Sequence, residues 1–181
     1  LHKAKYTIEA PRLILEPGKK KPKRIMTTIG LIDLPNRKRK LRELKELLAR
    51  PDIKKVMQST YDLHRFEQLL GPYELNSYSM DIQAGGHVLD ENTYQMASLD
   101  ELQRGFTDMK TNQKRLFSVE GYDKGDMLSV PPAKLTQYAG ADADGTRQVA
   151  MSIRRQLLKD IRTANYYVEL VMPVTQHVIY T

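Results

Sequence analysis

The apolar residues of this chain change their spacing between Leu34 and Lys38, and that change constrains the fold more than any other feature. Before it, Arg24–Leu34 (R-I-M-T-T-I-G-L-I-D-L) is β-branched and almost continuously apolar, the composition of a buried strand. After it, Leu41, Leu44, Leu47 and Leu48 recur as one helix face, so Lys38–Arg50 is predicted to be a helix that Pro51 ends. A short strand is expected at Lys3–Glu9, with Tyr6 and Ile8 on one face, and another at Ile53–Met57. Thr60–Leu70 returns to helical spacing through Leu63, Phe66, Leu69 and Leu70, and Gly71-Pro72 stops it. Ser77–Leu89 reads as the end of a strand followed by a helix. Ser98-Leu99-Asp100-Glu101 is a capping-box pattern that starts the next helix. Strands first, then strands alternating with helices, argue for an α/β or α+β chain around a central sheet.

The second half is helical in pattern. Thr107–Val130 is polar, contains glycine and has no period, so a long loop is expected there. Pro131-Pro132 opens a helical stretch carrying Leu135, Tyr138, Val149, Ile153, Leu157 and Leu158, with interruptions expected at Gly140 and Gly145. Tyr166–Tyr180 is a last, strongly apolar helix that Pro173 should bend. Its apolar face calls for a partner surface.

With 181 residues the chain suits one domain with a short appended segment. No apolar run approaches the roughly 20 residues of a membrane span. Cysteine is absent, which removes disulfides and thiolate metal sites and fits a reducing compartment. The net charge of +7 favours a polyanionic partner, because phosphate neutralisation releases counterions. The run Lys19-Lys20-Lys21-Pro22-Lys23-Arg24 sits in a Pro/Gly loop and reads first as a solvated hairpin tip, then as a phosphate contact or import signal.

Three acids stand where chemistry would need them. Glu9 ends the first predicted strand, Asp62 follows the strand Ile53–Met57, and Asp142 lies one helical turn beyond Tyr138. Carboxylates delivered from strand ends and a crossing helix can hold magnesium or manganese, which take oxygen ligands. Two such ions about 4 Å apart can activate a water and stabilise the leaving oxygen of a phosphodiester. A phenol at Tyr138 shares a helix face with Asp142 and can orient that water. On spacing alone, the pair is read more simply as a core tyrosine beside a surface acid. His2, His64, His87 and His177 have no metal-ligand spacing, Gly85-Gly86 lacks the lysine of a phosphate loop, and no G-x-S-x-G elbow occurs.

The stretch Tyr138-Ala-Gly-Ala-Asp142-Ala-Asp-Gly-Thr146 closely resembles the third exonuclease motif of family A DNA polymerases. Val56–Leu63, with Tyr61-Asp62, resembles the second motif. Met80–Asp90 and Ser98–Leu102 resemble the family's segments C-terminal to that motif. Tyr6-Thr7-Ile8-Glu9 looks like the first motif, Ile25–Leu31 like its following strand, and Val168–Pro173 like the segment that leads into the polymerase domain. The resemblance implies a ribonuclease-H-like 3′–5′ exonuclease fold, with a mixed central sheet flanked by helices; the short segment ahead of the Leu41 helix departs from it and leaves one edge strand abbreviated or missing. It implies a proofreading activity that hydrolyses phosphodiesters at a DNA 3′ end with two Mg2+ or Mn2+ ions. Glu9 and Asp142 would bind the first ion, Asp62 would serve the second, and Tyr138 would position the water. Gln58, Tyr61 and Arg65 would contact the nucleic acid. The implied partners are single-stranded DNA or a primer 3′ end and a polymerase domain in cis or in trans, with no membrane. The implied location is intracellular, cytoplasmic or replisome-associated. Residues 1–160 would form the exonuclease-like domain, and residues 161–181 a helix leading to the polymerase.

This sequence departs from the motif at two places. The first motif carries Asp two residues before its Glu, and that position is Thr7. A neutral hydroxyl in place of a carboxylate should weaken metal binding and slow the reaction. The second motif usually has Asn where Gln58 stands. A catalytically inactive domain, kept as a DNA-binding or structural scaffold for a polymerase, is therefore the alternative. An import-tagged adaptor built on Lys19–Arg24 explains little else.

Overall fold

A computed structural model describes residues 37–94, 97–108, 120–123, 126 and 129–180. The strands expected at Lys3–Glu9 and Arg24–Leu34, the basic run Lys19–Arg24, and most of the expected loop at Thr107–Val130 lie outside the described residues. The described chain is mostly helical with a small parallel sheet. Helix α1 (Arg37–Ala49) leads to strand β1 (Lys55–Met57), helix α2 (Tyr61–Leu70) and strand β2 (Tyr78–Asp81). Helices α3 (Ile82–Leu89), α4 (Leu99–Phe106), α5 (Pro132–Leu157) and α6 (Ile161–Tyr166) follow. A π-helical turn (Tyr167–Val171) joins α6 to α7 (Met172–Tyr180). Among the described residues, no helix is long and apolar enough to cross a membrane.

β1, α2 and β2 form a β-α-β unit. The strands pair in parallel, with Lys55 opposite Tyr78, Val56 opposite Met80 and Met57 opposite Asp81. Parallel pairing requires a crossover, and α2 supplies it. The start of the unit also ends α1. Asn76 donates its backbone N–H to the Leu48 carbonyl at 3.0 Å and its side-chain amide to the Ala49 carbonyl at 2.7 Å. The buried Lys55 ammonium donates to the Arg50 carbonyl. Carbonyls at and just past the C-terminal end of α1 are thus taken up by Lys55 of β1 and by Asn76, two residues ahead of β2.

The core lies where α3, α4 and α5 meet β2. Leu63, Met80, Ile82, Leu102, Val149, Ile153 and Leu157 are buried there, together with Tyr167 and Met172 from the last segment. Each apolar side chain moved fully from water into such a cluster contributes roughly 1.5–3 kcal/mol.

Two expectations change. α5 runs unbroken for 26 residues through Gly140 and Gly145, where interruptions were expected. Glycine costs a helix interior only about 1 kcal/mol, and tertiary contacts override that. At Gly145 the reason is visible: a β-carbon there would collide with the side-chain amide of the buried Gln103 on α4. The final helix begins at Ile161, earlier than expected, and its irregularity is the π-helical turn just before Pro173. Proline has no N–H to donate and its ring crowds the carbonyl four residues back, so the ladder loosens on that side.

Candidate active site

The geometry of the site starts from α5. Pro132 sits in its first turn, where the missing N–H costs nothing. Tyr138 and Asp142 then follow at i and i+4 on one face. The Tyr138 phenol lies within reach of the Asp142 carboxylate's charge. Tyr138 is half-buried, and its phenol is pushed up to about 12 by burial first, then by the charge and hydrogen bond of Asp142, with Asp100 adding to it. At neutral pH it is therefore a protonated donor, not a base. Asp144 behaves differently two residues on. Arg147 donates to it at 2.8 Å and Gln148 at 2.7 Å, and these bonds hold its carboxyl below the usual range.

Asp100, in the first turn of α4, adds its charge to the surroundings of Tyr138. The expected capping box is formed. Glu101 donates its N–H to Ser98 Oγ at 3.3 Å, and the Glu101 carboxylate accepts from Ser98 N at 2.7 Å. Leu99 and Leu102 are buried beneath, so α4 is fixed along α5. Asp100 Oδ1 is buried and accepts no hydrogen bond among the described residues. The capping pattern marked where α4 begins, but nothing in it signalled that the charge of Asp100 would act on Tyr138.

Asp62 lies in the first turn of α2, where a carboxylate suits the positive end of the helix dipole. It is exposed, and among the described residues no hydrogen bond or ion pair joins it to Tyr138 or Asp142. β1, which leads into α2, does lie against α5. Tyr61 is 60% exposed, with the Arg65 guanidinium 5.0 Å from its ring centre. Arg65 Nε and Nη2 both donate to the Tyr61 hydroxyl, at 3.0 and 2.9 Å. Gln58 donates its amide to the Ala97 carbonyl at 3.3 Å, which Gln83 also reaches at 3.2 Å. Between Gln58 and Tyr61, Ser59 holds φ at 109°, a left-handed conformation rare for serine. Glu9 and Thr7 lie outside the described residues.

The sequence pattern of the 3′–5′ exonuclease family matches residues 27–158, well over half of the chain. The chain belongs to that family. The matched span of the exonuclease domain contains α1 through α5, with Asp62, Tyr138 and Asp142, and begins after Glu9. No curated protein and no solved structure matches the chain.

Exonucleases of this family generally use divalent metal ions. The carboxylate oxygens of Asp62 and Asp142 are the right donor type for a hard cation. Among the described residues no three acidic, histidine or cysteine side chains gather as a complete metal-holding group.

Sequence reasoning passed over a second buried acid. Asp81 caps α3, accepting from Gln83 N at 2.9 Å and Ala84 N at 3.1 Å, and the buried Tyr78 hydroxyl donates to it at 3.2 Å. Burial raises its carboxyl despite those three donors. An Asp between a strand-like Tyr-Ser-Met and an apolar helix start is an N-cap signal that the sequence does carry. A cleft beside it in sequence, lined by His87, Asp90, Glu91 and Tyr166, includes none of the predicted site residues.

Proposed function

We propose that this domain hydrolyses the terminal phosphodiester at a DNA 3′ end, as the proofreading exonuclease of a family A DNA polymerase. The observation that carries the reading is the Tyr138–Asp142 pair on α5, inside the span matched by the exonuclease family. Asp142, with Glu9 and Asp62, would hold two divalent ions. Those ions would supply charge neutralisation and a more acidic water when bound. The residues of the chain do the positioning. A protonated Tyr138 hydroxyl, steered by Asp142, can hand its lone pairs to one hydrogen of a water and so fix the line of attack. The Tyr61 ring, braced by Arg65, offers an exposed plate on which an unpaired base can stack.

A scaffold role is favoured only by Thr7, which stands where the first motif has an acid. The test uses a 5′-labelled single strand with magnesium. The parent should shorten it from the 3′ end, Tyr138→Phe should slow release by about 10- to 100-fold, and Asp142→Ala should abolish it. Thr7→Asp should raise the parent's rate. Release that is unaffected by Asp142→Ala would sink the assignment of the site. No release from either the parent or Thr7→Asp would sink the nuclease reading in favour of the scaffold.

A further inference from the structure

We propose that the basic face of α1 binds the phosphate backbone of a nucleic acid, as a contact separate from the residues on α5. α1 opens on Arg37-Lys38-Arg39-Lys40, with Arg42 and Lys45 following and no acid in its first turn. Lys38, Arg39, Lys40 and Arg42 are exposed. Cations at a helix N-terminus oppose its dipole. The ion pairs oppose it as well. Arg39 meets Glu43 at 3.4 Å and Arg42 meets Glu46 at 3.6 Å, each with the cation N-terminal to the acid, the weaker order at that spacing. α2 and α4 follow the dipole at their starts and α4 and α5 at their ends, whereas α5 opens on Lys134 with no acid in its first turn. α2 opens on Asp62 and α4 on Asp100 and Glu101, while α4 ends on Arg104 and α5 on Arg154 and Arg155.

The stability of α1 therefore does not account for its bases, and a ligand does. A phosphodiester chain laid across the first turn meets the exposed cations and the positive end of the dipole together. Glu43 and Glu46 offset the charge only in part, and Lys38 pairs with no acid among the described residues. A lipid surface fits less well, because most of the apolar side of α1 is covered: Leu48 is buried and Leu41 and Leu44 are half-buried, with Leu47 alone of the four leucines exposed. The choice of nucleic acid as the polyanion rests on the nuclease reading.

The test is fluorescence anisotropy of the whole chain with a labelled single strand, in EDTA, across a salt series. Without metal no turnover is needed, so a failure of catalysis and a failure of this contact stay distinct. The variant Lys38→Gln/Arg39→Gln/Lys40→Gln should bind at least about tenfold more weakly at about 100 mM salt. Its log–log salt slope should fall by about 2, at roughly 0.7 per lost phosphate contact. Its melting temperature should hold or rise, because the bases oppose the helix they sit on. An unchanged isotherm and slope would overturn the proposal. So would a lowered melting temperature with the slope intact, or retained DNA binding with loss of binding to phosphatidylserine vesicles.

Discussion

At the scale of single residues, the site is a set of oxygens whose states are fixed by neighbours. Tyr138 stays protonated because it is half-buried against the Asp142 carboxylate, while Asp144 spends its charge on Arg147 and Gln148. Spacing alone had put Tyr138 and Asp142 on one face. It could not say which of the neighbouring acids is already satisfied, because that depends on rotamers and burial. Ser59 is the residue under visible backbone strain, at φ 109° just before the Tyr61-Asp62 turn. Such a conformation costs roughly 1–3 kcal/mol, and glycine would escape it at an entropic cost of about 0.5–1 kcal/mol. Ser59→Gly should therefore stabilise the fold by about 1 kcal/mol in urea unfolding. A loss of stability would mean that the bond from Tyr61 N to Ser59 Oγ, at 3.3 Å, outweighs the strain.

At the scale of elements, helix ends were the readable part. Pro51, Gly71-Pro72 and the Ser98 capping box bounded α1, α2 and α4 within a residue or two, because caps and breakers act locally. Glycine inside a helix was misread, because its meaning depends on what lies opposite. Two glycines make this testable with one substitution. In α3, a β-carbon at Gly86 would lie 2.8 Å from a methyl of the fully buried Leu102, so Gly86→Ala should destabilise by about 1–3 kcal/mol. In α5, Gly140 is exposed with nothing within 4 Å of such an atom, so Gly140→Ala should stabilise by about 0.5–1 kcal/mol. Opposite signs in paired thermal melts are the expected result. Equal signs would mean that α3 and α4 do not approach as described.

At the scale of the whole molecule, the last segment is tied into the exonuclease core. The buried Tyr167 hydroxyl donates to the Asp81 carbonyl at 2.9 Å and accepts from the Asp81 N–H at 3.0 Å, and Gln176 donates to the Tyr78 carbonyl at 3.1 Å. Burial raises the phenols of Tyr78 and Tyr167 as well as Tyr138, so the folded state keeps protons that the unfolded chain releases near pH 10. Their stabilising effect is complete below that pH and is lost as pH rises beyond it, by roughly 1 kcal/mol per pH unit for each buried phenol. The urea midpoint should accordingly fall steeply between about pH 10 and 12, and Tyr167→Phe should flatten that fall while lowering the midpoint at pH 7. A flat midpoint across that range would contradict the burial of these tyrosines. The sequence by itself determined the order of α1 through α5, the strand–helix–strand succession from Ile53 to Asp81 and the Tyr138/Asp142 face, since periodicity, caps and breakers are written locally. Tertiary structure alone decided that the charge of Asp100 acts on Tyr138, that Asp81 is buried beneath Tyr167, and that α5 passes through Gly145 unbroken. Those facts rest on close approach between segments far apart in the chain, where a contact's energy depends on the partner and not on the neighbouring residues.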